Sequence, residues 1–134
     1  MRRLAVFNSI TLDGYFTGRN GDLAWAHRVA EDPEFDAFVA ENAQGGGQLL
    51  FGRKTYEMMV SYWPTPQAMR DNPEVAQGMN QLPKVVFSRT LPDARWSNTR
   101  LVKTDPVEAV RQLKRETGPE MVIMGSGTIV TLLA

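Results

Sequence analysis

The sequence has no cysteine and a single histidine, His27. The first absence removes disulfides, thiolate nucleophiles and cysteine-ligated zinc. The second removes any metal site built from several imidazoles. Neither sign of charge is in excess, since 15 Lys and Arg stand against 15 Asp and Glu. A net charge of zero gives no field to draw in nucleic acid or an anionic membrane, so neither is expected as a partner. A few arginines gathered around one phosphate would not show in that sum. No apolar run approaches the ~20 residues that a membrane-spanning helix needs. The opening Met1-Arg2-Arg3 is basic, and Leu4-Ala5-Val6-Phe7 is apolar. Asn8, Ser9, Thr11 and Asp13 then interrupt the run too early for the core of a signal peptide. The expected compartment is the cytoplasm.

What is present reads as one globular domain: 134 residues, 43% of them apolar. Residues 4–12 are rich in β-branched and aromatic types and read as a strand. Asp13-Gly14 and residues 18–22 punctuate a long loop. A helix is expected from Asp32-Pro33, with Asp32 as N-cap and Pro33 in the first turn, up to Gly45-Gly46-Gly47. Phe35, Phe38 and Val39 share a face of it, and both phenylalanines are assigned to the core. Residues 48–51 form a buried-type strand, and 53–62 a helix. Pro64-Thr65-Pro66 and Asp71-Asn72-Pro73 mark a polar connecting region. Residues 82–87 are the next strand, and Leu101-Val102 a short one. A helix over 105–117 is capped by Asp105, with Glu108 completing a capping pair and Val107, Val110 and Leu113 on its apolar face. Residues 121–124 form a strand, and a helix starts at Ser126. Such alternation predicts an α/β fold, a mainly parallel central sheet with helices on both faces.

Three strand ends have chemistry attached. In Met121-Val122-Ile123-Met124-Gly125-Ser126-Gly127-Thr128, a strand runs through Gly-Ser-Gly into a helix. Ligands of parallel sheets bind beyond the carboxyl ends of the strands, where helix N-termini offer unpaired N–H groups. Glycines there let a phosphate approach the backbone, although they also suit a plain tight turn. In Phe51-Gly52-Arg53-Lys54-Thr55, two cations and a hydroxyl occupy a helix's first turn. Cations oppose the helix dipole in that place, so an anion is expected nearby unless both side chains simply reach into solvent. In Val85-Val86-Phe87-Ser88-Arg89-Thr90, a hydroxyl and an arginine end the strand. The planar guanidinium fork suits a terminal phosphate, although the same residues also make an ordinary turn, the commoner reading of this junction by itself.

Taken together, strand-Gly-Arg-x-Thr, strand-Ser-Arg and strand-Gly-x-Gly resemble, in order and approximate spacing, the dihydrofolate-reductase-like family. Ser9-Ile10-Thr11-Leu12-Asp13-Gly14-Tyr15 resembles the Ser-Leu-Asp-Gly signature of one branch, the reductase domain of the bifunctional riboflavin-biosynthesis deaminase/reductase. Asn20-Gly21-Asp22-Leu23-Ala24-Trp25 resembles the loop and tryptophan that lead to that family's substrate pocket. The resemblance implies NADPH as cofactor and a small heterocyclic substrate, pyrimidine- or pterin-like. By it, Arg53 and Thr55, with Lys54 nearby, hold phosphates. Ser88 and Arg89 meet the adenosine 2′-phosphate. Gly125, Ser126, Gly127, Thr128 and Ile129 line the pyrophosphate. Asn8, Ser9 and residues 18–22 border the nicotinamide, and Trp25 the substrate. It further implies a homodimer and a cis peptide between Gly125 and Ser126.

The proton donor is the weak point of the match. Dihydrofolate reductases place a buried carboxylate a few residues after the tryptophan. Ala30 falls at about that spacing from Trp25, with Glu31 and Asp32 just beyond. Asp32 is already claimed as a helix cap. Asp13 is a third candidate, though Asp-Gly is an ordinary turn. His27 reads as a loop or helix-entry residue. This gap argues against dihydrofolate itself as substrate. Family members also continue past the glycine-rich junction for at least two strands. The chain is therefore expected to lack its C-terminal strands, with Ile129, Val130, Leu132 and Leu133 partly uncovered. Two rival readings are a nucleotide-binding module without turnover and an interaction domain that keeps the fold alone.

Overall fold

The structure, a computed structural model, describes residues 1–22, 25 and 32–134. In chain order the elements are β1 (Leu4–Phe7), α1 (Pro33–Gln44), β2 (Gln48–Gly52), α2 (Arg53–Val60), α3 (Pro66–Asp71), α4 (Pro73–Gln81), β3 (Lys84–Phe87), β4 (Thr99–Val102), α5 (Pro106–Arg115), β5 (Met121–Met124) and α6 (Gly127–Leu133). The strands form one sheet in the order β1-β5-β2-β3-β4, and every neighbouring pair is parallel. β5 enters between β1 and β2, so the chain's direction across the sheet reverses there. Open parallel sheets place their ligand crevice at such a point.

Strand side chains alternate between two cores. Leu49, Phe51 and Val86 point to one face, where Tyr56 of α2, Val75 and Met79 of α4 and Trp96 pack on them. Leu50, Val85, Phe87, Met121 and Ile123 point to the other, under Val110 and Leu113 of α5 and Ile129 of α6. Burial on both faces explains the apolar run Val85-Val86-Phe87 of β3, all four residues of which, Lys84 included, are buried.

The caps follow the sequence. Asp32 accepts hydrogen bonds from the N–H groups of Glu34 and Phe35, both at 3.1 Å. Asp105 accepts from the Glu108 N–H at 3.0 Å. Four readings are corrected. First, β1 stops at Phe7 rather than residue 12. Beyond it the Thr11 N–H donates to the Tyr15 carbonyl at 2.8 Å, closing a turn that cannot continue a strand. Second, the polar region around residues 64–73 is helical, because Pro66 and Pro73 occupy first-turn positions of α3 and α4 instead of breaking them. Third, Phe35 and Phe38 are outside the core, 45% and 50% exposed. α1 is pinned by its C-terminal half, where Ala43 is buried, so its first turns have less cover. Phe38 instead stacks on Phe7, ring centres 6.3 Å apart. Fourth, Ile129 is buried in the core, whereas Val130, Leu132 and Leu133 are partly uncovered as expected.

Candidate active site

Parallel registry brings the carboxyl ends of the strands to one edge. Gly52 lies beside Phe87 in β3, and Phe7 lies beside Met124 in β5. The turns that follow, at Asn8, Arg53, Ser88 and Gly125, therefore stand along that edge in the spatial order of their strands. The three junctions singled out in the sequence are neighbours although some seventy residues separate the first from the last.

The centre of the edge is locked by Ser126. Its Oγ accepts from the Gly52 N–H at 2.7 Å and donates to the Met124 carbonyl at 3.2 Å. No peptide bond among the described residues is cis, so the expected cis bond at Gly125–Ser126 is absent. Two successive left-handed residues make the reversal instead, with φ of 56° at both Gly125 and Ser126. Glycine takes that conformation freely. For Ser126 it costs roughly 1–2 kcal/mol, which its two hydrogen bonds offset. A Cβ on Gly125 would stand 3.4 Å from the Thr55 Oγ1 and 3.9 Å from the Asn8 Oδ1. Asn8 and Thr55 thus flank Gly125 from two different elements.

The other residues named from the sequence differ in what they are free to do. Arg53 is paired with Glu57 one turn along α2, at 3.0 Å. The anion expected from its place in the helix is thus partly supplied by the chain itself. Lys54 and Arg89 are exposed and lack an ion pair among the described residues. The Ser88 Oγ accepts from the N–H groups of Thr90 and Leu91, both at 3.2 Å, and shapes the turn that presents Arg89. Thr128 is exposed. Ile129 sends its side chain into the core, where its Cγ1 would lie 3.4 Å from a Cβ on Gly52. Asp32 is occupied in capping α1. Asp13 accepts from the Thr11 hydroxyl at 2.5 Å, as a turn residue. Glu31 and His27 lie outside the described residues. No group of three or more His, Asp or Glu among the described residues could hold a metal ion.

Phe16 was not legible from the sequence. Its ring covers Gly127, where a Cβ would come within 2.7 Å of the ring's Cζ. The Trp25 Nε1–H donates to the Phe16 carbonyl at 3.2 Å and ties the loop down. The only signal was an aromatic residue in a polar loop. On the α1, α2 and α4 side of the sheet lies a cavity of about 240 Å³, with Phe7, Val39, Met59, Trp63, Met79 and Met124 in its wall. Phe7 and Met124 immediately precede Asn8 and Gly125, so the cavity reaches the same edge.

The donor set of this edge fits a dinucleotide. It offers exposed cations at Lys54 and Arg89, hydroxyls at Thr55 and Ser88, and a glycine flanked by polar groups. With the parallel sheet, this defines an α/β protein of the dihydrofolate-reductase-like fold. More narrowly, the chain belongs to the RibD C-terminal domain family, whose model matches residues 2–134. That is a reductase-domain family. Among solved structures, a Shewanella sp. PV-4 protein whose name ties it to riboflavin biosynthesis superimposes with a TM-score of 0.62. It is 24% identical, over 97% of this chain and 67% of that one. Among curated proteins, the uncharacterized protein YyaP of Bacillus subtilis strain 168 is 26% identical over 130 residues. The match covers 97% of this chain and 66% of YyaP, so the chain spans just under two thirds of that relative.

Proposed function

We propose that this chain is an NADPH-dependent reductase that delivers a hydride to a small heterocyclic acceptor, pyrimidine- or pterin-like in ring chemistry. One observation carries this reading: the Arg53–Thr55, Ser88–Arg89 and Gly125–Thr128 turns stand side by side at the carboxyl edge of a parallel sheet. A bound reduced nicotinamide supplies the hydride, and the protein's part is to hold and orient it. Arg89, without an ion pair among the described residues, takes the 2′-phosphate together with Ser88. Arg53, Lys54 and Thr55 take the other phosphates. Releasing the exposed Arg53–Glu57 pair costs no more than about 1 kcal/mol. Asn8 and Thr55, on either side of Gly125, border the nicotinamide. A phosphate that approaches Gly127 displaces the Phe16 ring. The family and the name of the Shewanella relative support a reductase role near riboflavin chemistry.

A second reading, nucleotide binding without turnover, is favoured by the carboxylates. Asp13 and Asp32 each have one carboxylate oxygen engaged, in a turn and in a cap. Titration with NADPH and NADH, followed by nicotinamide fluorescence, separates the possibilities. NADPH should bind more tightly than NADH. Arg89→Ala should weaken NADPH by about ten- to a hundredfold, the loss of one charge-assisted contact, and leave NADH nearly unchanged. Equal affinity for the two would remove the role given to Ser88 and Arg89. Saturable binding with no oxidation across a panel of heterocycles would favour the second reading, and no binding of either nucleotide would sink both.

A further inference from the structure

We infer that Lys103 is a further specificity-determining residue, the second cation beside Arg89 for the adenosine 2′-phosphate. This rests on the proposed cofactor site and deepens it. The pairing of β3 with β4 places the residue. Phe87 lies beside Val102, and the Ser88 N–H donates to the Val102 carbonyl at 3.0 Å. That bond carries the parallel ladder one step past both strands, so Ser88 stands beside Lys103. Neighbouring strands are about 4.8 Å apart, and side chains in register point to the same face. Phe87 and Val102 belong to the core under α5 and α6, whereas Val86 and Leu101 face the core of α2 and α4. Alternation therefore sends Ser88 and Lys103 to the second side together.

Lys103 is exposed and has no ion pair among the described residues. Asp105, two residues on, is engaged in capping α5, where it accepts from the Glu108 N–H at 3.0 Å. The other cation of β4, Arg100, is exposed as well, but it lies beside Val85, further from the carboxyl edge, and alternates to the opposite face. Charge on an edge strand ordinarily discourages pairing with another chain, and Arg100 is placed for that. Lys103 is placed instead at the carboxyl edge, one strand away from the hydroxyl that ends β3. The charge of the ligand gives two cations a purpose. A phosphate monoester carries about −1.5 to −2 charges, more than one guanidinium neutralises. A planar fork takes two of its three terminal oxygens, and the compact ammonium of a lysine suits the third.

The test uses the whole chain, with NADPH and NADH binding followed by nicotinamide fluorescence. Lys103→Ala should weaken NADPH by about three- to tenfold, the loss of one exposed charge contact to a dianion, and leave NADH nearly unchanged. Lys103→Arg should restore the affinity for NADPH, and Lys103→Glu should lower it further than Lys103→Ala does. Arg100→Ala, the same change of charge on the same strand, should leave both nucleotides unaffected. Arg89→Ala should keep a residual preference for NADPH that vanishes when Lys103→Ala is added. The inference is overturned if Lys103→Ala weakens NADPH and NADH alike, as a purely structural role would, or if Arg100→Ala weakens NADPH equally. It is also overturned if Arg89→Ala alone abolishes the preference. Calorimetry with adenosine 2′,5′-bisphosphate separates the phosphate site from the reductase. Binding of this probe that Lys103→Ala weakens, in a protein that does not bind NADPH, would retain Lys103 and sink the reductase. Tight NADPH binding that Lys103→Ala leaves unchanged would sink the role of Lys103 alone, and a wild type that binds neither compound would sink both.

Discussion

Lys84 is the residue whose chemistry is furthest from what its type implies. It opens β3 at the end of the sheet opposite the candidate site, 1% exposed, with its ammonium 4.6 Å above the Trp96 ring. Its three carbonyl acceptors close the C-terminus of α4, where the helix dipole favours a cation. Burial pushes its pKa down from 10.5 to about 8. The folded state therefore releases the proton earlier than the unfolded state as pH rises. Between about pH 8 and 10.5 the unfolded chain binds more protons, and this residue makes stability increase with pH. Denaturant titrations should show that slope in the wild type and lose it in Lys84→Met. The variant should also be less stable at neutral pH by about 2 kcal/mol, because three carbonyls lose their donor. Equal slopes in the two proteins would show that Lys84 stays charged throughout. Nothing in the sequence near Lys84 signalled this role, since its partners come from the preceding helix and from Trp96. Asp32 and Asp105, by contrast, were legible, because a cap bonds to N–H groups two or three residues away.

At the level of elements, α4 decides how the first face of the sheet is covered. Gly78 sits against α1, and a Cβ there would lie 2.4 Å from the Ala43 carbonyl oxygen. The helices cross this closely because that Cβ is missing. Alanine is the better helix former by about 1 kcal/mol, but backbone cannot yield as a flexible side chain can. The clash therefore outweighs the propensity, and Gly78→Ala is expected to destabilise by about 1–3 kcal/mol. Thermal unfolding should show a lower midpoint, and a raised one would mean that the α1–α4 crossing relaxes easily. The same element shows where sequence reading stopped. Pro66 and Pro73 read as loop residues because the pattern after each is short and mixed. In α4 the inward positions are Val75, Ala76, Gly78 and Met79, which lack a strong apolar stripe. α5, with buried Val110 and Leu113 opposite a charged face, was legible throughout. The strand-to-helix turns at Gly52 and Gly125 were legible too, while the way they join, through the Ser126 hydroxyl and the Gly52 N–H, was not.

Over the whole molecule, β1 is an edge strand with apolar surface around it. Val6 is 50% exposed, and Phe38, stacked on Phe7 of the same strand, is exposed as well. An unpaired strand with such neighbours is a template for pairing with another chain. Self-association through β1 is the expected result, and Val6→Lys should shift the protein toward monomer in sedimentation velocity. A wild type that sediments as a monomer at high micromolar concentration would refute it. Composition and pattern already determined the α/β class, the parallel sheet, most strands and the three turns proposed to hold the cofactor. Each of these depends on local signals: an apolar run, a cap, or a glycine at a strand's end. Tertiary structure alone decided that β5 lies between β1 and β2, which sets the three turns on one edge. It also decided that Phe7, Met59 and Met124 enclose an apolar cavity and that Phe16 covers Gly127. Those contacts join residues far apart in the chain, and their free energy exists only once the sheet has formed.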